Sequence, residues 1–219
     1  MYALRPGLSF CAIEQTALFL DVPGDRYFAL SEDLSLHFLS VVDAIRSGAQ
    51  VNPTLARSLV ARGILVGEAA DRSWPTPALD HPKREWKGSL GLSGSQARHV
   101  WLALVCIVMT LFRLRLRPLH SIVDDNAAVP CRTDQMGALP DRAVSAFLLA
   151  LRVWPWKLEC LPMSVALRTF LAWHSVDADL VVAVKLNPFA AHCWVQVGDV
   201  VIGDTIDRVR AFTPIRSSR

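Results

Sequence analysis

Residues 160–173 read CLPMSVALRTFLAW, and their apolar side chains recur at helical spacing. Pro162 falls in the first turn of the predicted helix, where a missing backbone N–H is tolerated. Cys160 is therefore expected at or beside the helix N-terminus. The partial positive charge at that end favours a thiolate over a thiol, which is how a cysteine becomes a nucleophile near neutral pH. From this segment alone, a small buried apolar cysteine is the alternative interpretation.

Three apolar segments follow this helix and are predicted to form an antiparallel sheet. They are Asp179–Val184, Ala191–Val197 and Val200–Asp204. His192 opens the second strand and Asp204 closes the third, so a hairpin brings both to one end of the sheet. The separations of 32 and 12 residues, in the order Cys, His, Asp, favour catalysis. Asp204 would accept the imidazole N–H, and the other ring nitrogen would take the proton of Cys160.

The length of the hairpin loop decides whether His192 and Asp204 share a face of the sheet. A two-residue loop, which pairs Val197 with Val200, leaves the two side chains on opposite faces. A three-residue loop over 197–199 sets them directly across from each other. The catalytic hypothesis therefore predicts an odd-length loop or a bulge.

The residues beside His192 are weaker candidates. Cys193 is expected to point to the other face and to pack in the core. Gln196 shares the face of His192 but lies too far along the strand to be assigned as an oxyanion donor beside the backbone N–H of Cys160. Trp194 is a candidate for shielding the site from water.

The composition is that of a folded chain with little affinity for nucleic acid. Of its 219 residues, 52% are apolar and 20% are charged, and the net charge is +3. Its mean hydropathy of +0.31 excludes bulk disorder. The lysines and arginines are scattered, so a groove that follows a phosphate backbone has no compositional support.

Cysteine usage and the amino terminus predict a cytoplasmic protein. The five cysteines are an odd number at irregular spacings, and no C-x-x-C pair suggests a metal site. The first residues lack the basic and then apolar layout of a secretory signal. The uncharged run Val100–Phe112 has 13 residues, whereas about 20 are needed to span a bilayer, so we expect a buried core helix and no transmembrane segment.

The amino-terminal part of the chain is predicted to be a separate small domain. Three short antiparallel strands are expected over 9–14, 17–21 and 26–30. Two helices follow, one from Ser31 to Gly48 and one after Asn52-Pro53. A stretch rich in Pro, Gly and Ser then indicates a linker. The predicted organisation is a domain over 1–72, a linker over 73–94 and a second domain over 95–219, an α+β protein overall.

Four segments together resemble the B proteins of lasso peptide biosynthesis. They are Cys160-Leu-Pro-x-Ser, Ala178-Asp-Leu-Val, Pro188-Phe-Ala-Ala-His-Cys-Trp-Val and Val200-x-Ile-Gly-Asp204. The resemblance implies a papain/transglutaminase-like cysteine protease domain whose triad maps onto Cys160, His192 and Asp204. It also implies that the amino-terminal domain is a winged-helix-like peptide-recognition element, with a three-stranded sheet and helices.

The implied function is that of a leader peptidase in the biosynthesis of ribosomally made antibiotic peptides. The enzyme would hydrolyse the bond between leader and core and hand the core to an asparagine-synthetase-like cyclase. Any dependence on ATP is expected to come through that cyclase, because the chain has no phosphate-binding G-x-x-x-x-G-K motif, and no cofactor or metal is expected here. The leader would add a strand to the sheet edge at Arg26, Tyr27, Phe28, Ala29 and Leu30.

Two other functions are compatible with the same residues. A transglutaminase or acyltransferase would form the same thioester and transfer its acyl group to an amine. A non-catalytic scaffold would bind peptides and keep Cys160 as a structural residue.

Overall fold

The chain forms two units, Met1–Ala78 and Leu79–Arg219, and each has hydrophobic side chains buried within it. The computed structural model describes residues 2–67, 81–88, 94–116 and 141–218. Cys131 and much of the predicted linker lie outside these ranges. The mixture of helices and sheets confirms the α+β class.

In its described residues, the first unit contains a three-stranded antiparallel sheet, a two-stranded sheet and two helices. Its elements are β1 (Ala3–Leu4), β2 (Leu8–Ile13), β3 (Thr16–Asp21), β4 (Arg26–Ala29), α1 (Glu32–Ser47), α2 (Pro53–Ala61) and β5 (Leu65–Val66). The larger sheet has the order β2-β3-β4, and the smaller one pairs β1 with β5. The three expected strands are all present. The β1–β5 pair was not predicted, because two-residue strands are too short to show an alternating pattern.

Aromatic packing joins the sheet of the first unit to α1. The ring of Phe19 stacks on Phe28 at 5.1 Å between centroids and meets Phe38 of α1 edge-on at 4.9 Å. Ser35 is fully buried on α1, and its hydroxyl accepts a hydrogen bond from the backbone N–H of Ala17 at 3.0 Å. This serine pairs a buried backbone donor of β3, which would be costly to leave unpaired.

Local sequence signals set the limits of both helices in this unit. Gly48 follows α1 with φ of 69°, a left-handed conformation that glycine adopts without steric cost. The side chain of Asn52 caps α2 by accepting a hydrogen bond from the N–H of Thr54 at 2.9 Å, and Pro53 occupies the first helical position.

The second unit contains a five-stranded sheet and four helices in the described residues. Its elements are β6 (Arg84–Glu85), α3 (Gly94–Leu116), α4 (Asp141–Val153), α5 (Cys160–Trp173), β7 (Asp179–Lys185), β8 (Ala190–Val197), β9 (Val200–Ile202), α6 (Ile206–Arg210) and β10 (Thr213–Ser218). The strand order is β10-β7-β8-β9-β6, and all neighbours are antiparallel except β9 and β6.

Each face of this sheet has its own buried cluster. On one face, Val195 and Ile202 pack with side chains of α3, α4 and α5, including Phe147 and Phe170. On the other face, Trp194 packs with other sheet residues and with Val209 of α6. Successive residues of β8 therefore point alternately into two different environments.

Strand β6 lies inside segment 73–94, which the sequence predicted to be a linker, so that prediction is wrong for these residues. The N–H of Trp86 donates to the carbonyl of Val201 at 3.0 Å, and Arg84 pairs with Asp199 at 2.6 Å. These contacts join residues 84–86 to residues 199–201, which lie more than a hundred residues further along the chain. A two-residue strand in a region rich in proline, glycine and charge has no recognisable sequence signal.

Helix α3 is longer than the uncharged run that predicted it. Among the described residues, Gln96–Leu116 is one helix of 21 residues that could cross a membrane by length and composition, with a mean hydropathy of 1.7 over an 18-residue window. Ala103, Cys106 and Ile107 are fully buried in the core of the second unit. The expectation of a core helix is therefore correct for the face that carries these three residues. The exposed face carries Trp101, Val108, Met109, Phe112 and Leu116.

Candidate active site

Cys160 is the first residue of α5, as the sequence predicted. Glu159 precedes it in an extended conformation (φ −66°, ψ 160°), and the carbonyl of Glu159 accepts a hydrogen bond from the N–H of Met163 at 3.2 Å. The N–H groups of the first turn, with their partial positive charge, therefore lie next to the thiol. Cys160 is half-buried, so it remains accessible from solvent.

His192 of β8 is in direct contact with Asp204. The imidazole Nε2 lies 2.5 Å from Oδ2 of Asp204, and the two side chains are only 4% and 5% exposed. With Nε2 directed at Asp204, Nδ1 is the ring nitrogen that remains for Cys160. The hydrogen bond to Asp204, followed by the one to Cys160, raises the pKa of His192 to about 9. The imidazole therefore carries a positive charge beside Cys160 at neutral pH.

The structure corrects the predicted relation between hairpin length and the His192–Asp204 pair. The loop has two residues, and Val197 pairs with Val200. A strand continued in that register would set Asp204 opposite Cys193, on the wrong face. However, β9 ends at Ile202, and Gly203 turns the chain with φ of 75°. The requirement for an odd-length loop is wrong, because Asp204 lies beyond the strand, where side chains no longer alternate.

Both carboxylate oxygens of Asp204 accept hydrogen bonds. Oδ2 faces His192, and Oδ1 accepts from the backbone N–H of Thr205 at 2.8 Å. Burial by itself would raise the pKa of Asp204, but these two hydrogen bonds, together with the positive charges of His192 and Arg208, hold the pKa below its ordinary value. Thr205 also caps α6 by accepting from the N–H of Arg208. Asp204 is thus a charged acceptor fixed in orientation.

The prediction that Cys193 only packs in the core is incomplete, because the structure places it against Cys160. Cys193 is 3% exposed and points to the helical face of the sheet. A hydrogen bond from its thiol is the largest influence that lowers the pKa of Cys160 well below the ordinary value, and the bond with His192 is the next. The same contact, together with burial, raises the pKa of Cys193. Cys193 is therefore the thiol donor and Cys160 the thiolate.

Sequence reasoning had one signal that could have revealed this contact. Residues 192 and 193 alternate between faces, and an apolar helix such as α5 must cover one of them. Ser164, one turn after Cys160, donates its hydroxyl to the carbonyl of Cys193 at 3.2 Å. This bond ties α5 to β8 where the two cysteines meet.

Aromatic rings surround His192 on its own face of the sheet. Phe212 and Trp194 lie 5.2 and 6.2 Å from the imidazole centroid. Gln196 accepts a hydrogen bond from the indole N–H of Trp194 at 3.2 Å and donates to the carbonyl of Gly198 at 2.7 Å. These bonds hold Gln196 against the sheet and argue against a role in the oxyanion hole.

The five residues predicted to bind a leader belong to the other unit. Arg26, Tyr27, Phe28 and Ala29 form β4, and the N–H of Leu30 donates to the carbonyl of Ala17. Strand β4 is at the edge of its sheet, as expected for strand addition. In the described ranges, no group of three or more His, Cys, Asp or Glu side chains could hold a metal ion.

Comparisons with known proteins bear on the same region. A sequence profile of the transglutaminase-like superfamily matches residues 103–217, which include Cys160, His192 and Asp204. A stretch of 49 residues is 45% identical to the microcin J25-processing protein McjB of Escherichia coli. That stretch covers 22% of this chain and 24% of the length of McjB, so the match spans about a quarter of each protein. No solved structure matches the chain.

The turn at Gly203 yields a first prediction. An added Cβ would make ordinary contacts with Leu148 and Leu167, at 3.6 and 3.7 Å, so the positive φ is the main source of strain in Gly203→Ala. We expect urea unfolding to show a loss of about 1–2 kcal/mol. If the backbone relaxes instead, Asp204 moves away from His192, and the thiolate fraction of Cys160 near neutral pH falls.

Gly48→Ala is the matched control for this substitution. Gly48 has a similar φ of 69°, and its added Cβ would meet no described atom within 4 Å. This variant should lose stability without any change in the alkylation of Cys160. Native stability and native alkylation in Gly203→Ala would contradict the role assigned to the turn.

The charges of the site predict an unusual pH dependence of Cys160 alkylation. The rate with iodoacetamide, followed by peptide mass spectrometry, should stay on a plateau from neutral pH well into the acid range. An ordinary cysteine would instead show a rise near its pKa of about 8.5. His192→Gln removes the positive charge and should slow alkylation of Cys160 at pH 6 by roughly tenfold or more, since one pKa unit corresponds to a factor of about ten.

Cys106 is an internal control in the same digest. Burial raises the pKa of Cys106 to about 11, so its alkylation should be slow and should not respond to His192→Gln. If alkylation of Cys160 in the native chain becomes fast only above pH 8, the site does not stabilise a thiolate at Cys160.

Proposed function

Because the chain belongs to the transglutaminase-like superfamily, we propose that it is a cysteine peptidase that uses Cys160, His192 and Asp204. The observation that carries this proposal is that the imidazole of His192 contacts both Asp204 and Cys160. Nε2 of His192 bonds to a buried carboxylate, while the same ring contacts a cysteine at the start of a helix. That arrangement supplies a nucleophile, a general acid and base, and an orienting group in one place.

The proposed reaction follows from these positions. The thiolate of Cys160 attacks the carbonyl carbon of the scissile peptide bond, and the backbone N–H of Cys160 donates to the oxyanion. The imidazolium of His192 gives its proton to the leaving amine, which leaves a thioester on Cys160. His192 then takes a proton from water, whose oxygen attacks the thioester and releases the acid and the thiolate. Asp204 keeps the ring oriented throughout.

We further propose that the substrate is a precursor peptide whose leader is removed. The local similarity to a protein that processes microcin J25 supports this assignment, as does the amino-terminal unit with its open sheet edge. Hydrolysis between leader and core frees the amine of the core for an asparagine-synthetase-like lasso cyclase. ATP would act through that cyclase, and the reaction belongs to antibiotic biosynthesis in the cytoplasm.

The leader is proposed to bind as an added strand along β4. The N–H of Leu30 bonds to the carbonyl of Ala17, so residues 26, 28 and 30 direct their backbone groups towards β3. The N–H and carbonyl of Ala29 consequently point to the outer edge of the sheet. An extended peptide laid against this edge would pair with them, as in other cases of strand addition.

A single assay distinguishes the proposed reaction from the alternatives. The full chain is incubated with a leader-bearing precursor, the cyclase and ATP, and the products are identified by mass. Peptidase activity yields free leader, acyl transfer yields an amine adduct, and a scaffold yields unchanged precursor. Cys160→Ala should lower cleavage at least about a thousandfold because it removes the nucleophile.

Cys11→Ala serves as the control, since this buried cysteine belongs to the first unit. It should retain cleavage. Leader release by Cys160→Ala at the native rate would overturn the proposed peptidase, whereas loss in both variants would point to folding and is checked by thermal unfolding.

The leader site is tested by two matched proline substitutions in one sheet. Ala29→Pro removes an outward N–H at the edge formed by β4, and proline is tolerated on edge strands. Ala12→Pro removes an outward N–H at the opposite edge, formed by β2, because the N–H of Val22 bonds to the carbonyl of Gly7 in the same register.

Calorimetry with the isolated leader peptide should show Kd raised roughly five- to tenfold by Ala29→Pro, about the net value of one hydrogen bond, and nearly unchanged by Ala12→Pro. The reverse pattern would place the leader on β2. If both variants bind the leader with the Kd of the native chain, the leader does not bind by strand addition to this sheet.

A further inference from the structure

A second thiol in contact with a reactive cysteine is an arrangement that peptide hydrolysis does not require. Cys160 stands at the start of α5, half-buried, and the thiol of Cys193 on β8 donates a hydrogen bond to it. Cys193 is 3% exposed, and its carbonyl accepts a hydrogen bond from the hydroxyl of Ser164 at 3.2 Å. We propose that Cys160 and Cys193 form a modification site for peroxides, at which hydrogen peroxide joins the two sulfur atoms in a reversible disulfide.

The first step of this reaction takes place at Cys160. Its thiolate attacks one oxygen of hydrogen peroxide, the O–O bond breaks, and the products are the sulfenic acid of Cys160 and hydroxide. Cys160 is favoured over Cys193 because it is the more accessible sulfur and the one that carries the negative charge. The low pKa of Cys160 beside His192 supports this order.

The second step uses the buried neighbour. The sulfur of Cys193 attacks the sulfur of Cys160, the S–O bond breaks, and the proton of the Cys193 thiol leaves with the oxygen as water. With the proton that neutralises the first hydroxide, two thiols and one peroxide become one disulfide and two waters. Both electrons come from the sulfur atoms, and the peroxide is reduced.

The fold favours Cys193 over other cysteines as the resolving thiol. The first turn of α5 already lies against β8 here, since Ser164 donates its hydroxyl to the carbonyl of Cys193 at 3.2 Å and the thiol of Cys193 donates to Cys160. The two sulfur atoms need to approach to the S–S length of about 2.05 Å. Cys160 can supply this movement, since it is the terminal residue of its helix and follows the extended Glu159. Cys11 and Cys106, the other free cysteines in the described parts of the chain, are both buried, Cys11 in β2 of the first unit and Cys106 in α3, where its thiol donates to the carbonyl of Ala166 at 3.4 Å.

Formation of the disulfide would have two consequences. Cys160 would no longer be available as a nucleophile, so any chemistry at the site would stop until a dithiol reduced the bond. Oxidation of Cys160 to the sulfinic acid, which thiols cannot reverse, would also be prevented. The proposal does not depend on the proposed peptidase activity, because its products are read from the protein alone.

The test is peptide mass spectrometry of the full chain after brief exposure to equimolar hydrogen peroxide. Remaining thiols are blocked with N-ethylmaleimide, and the protein is digested without reduction. The native chain should give a cross-linked pair of peptides that contain Cys160 and Cys193, lighter by two hydrogens than their sum. Dithiothreitol should then restore the alkylation of Cys160.

Two variants separate the roles of the thiols. Cys193→Ser keeps a hydrogen-bond donor but cannot form the bond. When both proteins receive several equivalents of hydrogen peroxide, Cys160 of the variant should advance to the sulfinic acid, which consumes a second peroxide and which dithiothreitol does not reverse. Cys131→Ser, which removes a cysteine outside the described residues, should retain the cross-link. A native chain that accumulates sulfinic Cys160, or that joins Cys160 to another cysteine, overturns the proposal, and this result stands even if Cys193→Ser fails to fold.

Discussion

The buried hydrogen bond between Nε2 of His192 and Asp204 is the constraint on which the rest of the site depends. An imidazolium and a carboxylate that are both about 95% buried would each be unstable alone, and each stabilises the charge of the other. The chain satisfies this pair through a short series of local features. Strand β9 ends at Ile202, Gly203 turns the backbone, and the N–H of Thr205 holds the second carboxylate oxygen. The positive charge retained on the imidazole then stabilises a thiolate at Cys160.

The alternation of side chains along β8 gives the site two sides. His192 lies on the face covered by Phe212 and Trp194, whereas Cys193 lies on the face covered by α5. Cys160 begins that helix, so it meets both consecutive residues of one strand. The reactive sulfur is consequently influenced by an imidazolium from one face and by a thiol from the other. This two-sided contact is the physical basis for both the proposed nucleophile and the proposed peroxide site.

Much of the architecture was predictable because its causes are local. Helical spacing and a proline in the first turn predicted the start of α5, and short apolar segments predicted β7 and β8. The errors arose where local rules stop. The register argument assumed that β9 continues to Asp204, but alternation holds only while a strand lasts. The contact of Cys193 with Cys160 depended on which helix covers that face, and the pairing of β6 depended on residues far away in the chain.

The sequence by itself determined the α+β class and the order of the main helices and strands. It also singled out Cys160, His192 and Asp204, which the structure brings together. These features follow from periodicity, capping and turn chemistry, which act over a few residues. Only the tertiary structure decided that Asp204 returns to His192 after a two-residue hairpin, that Cys193 touches Cys160, and that residues 84–85 extend the sheet. Each of these depends on one backbone turn or on packing between distant segments, and their geometry is set only when the chain is folded.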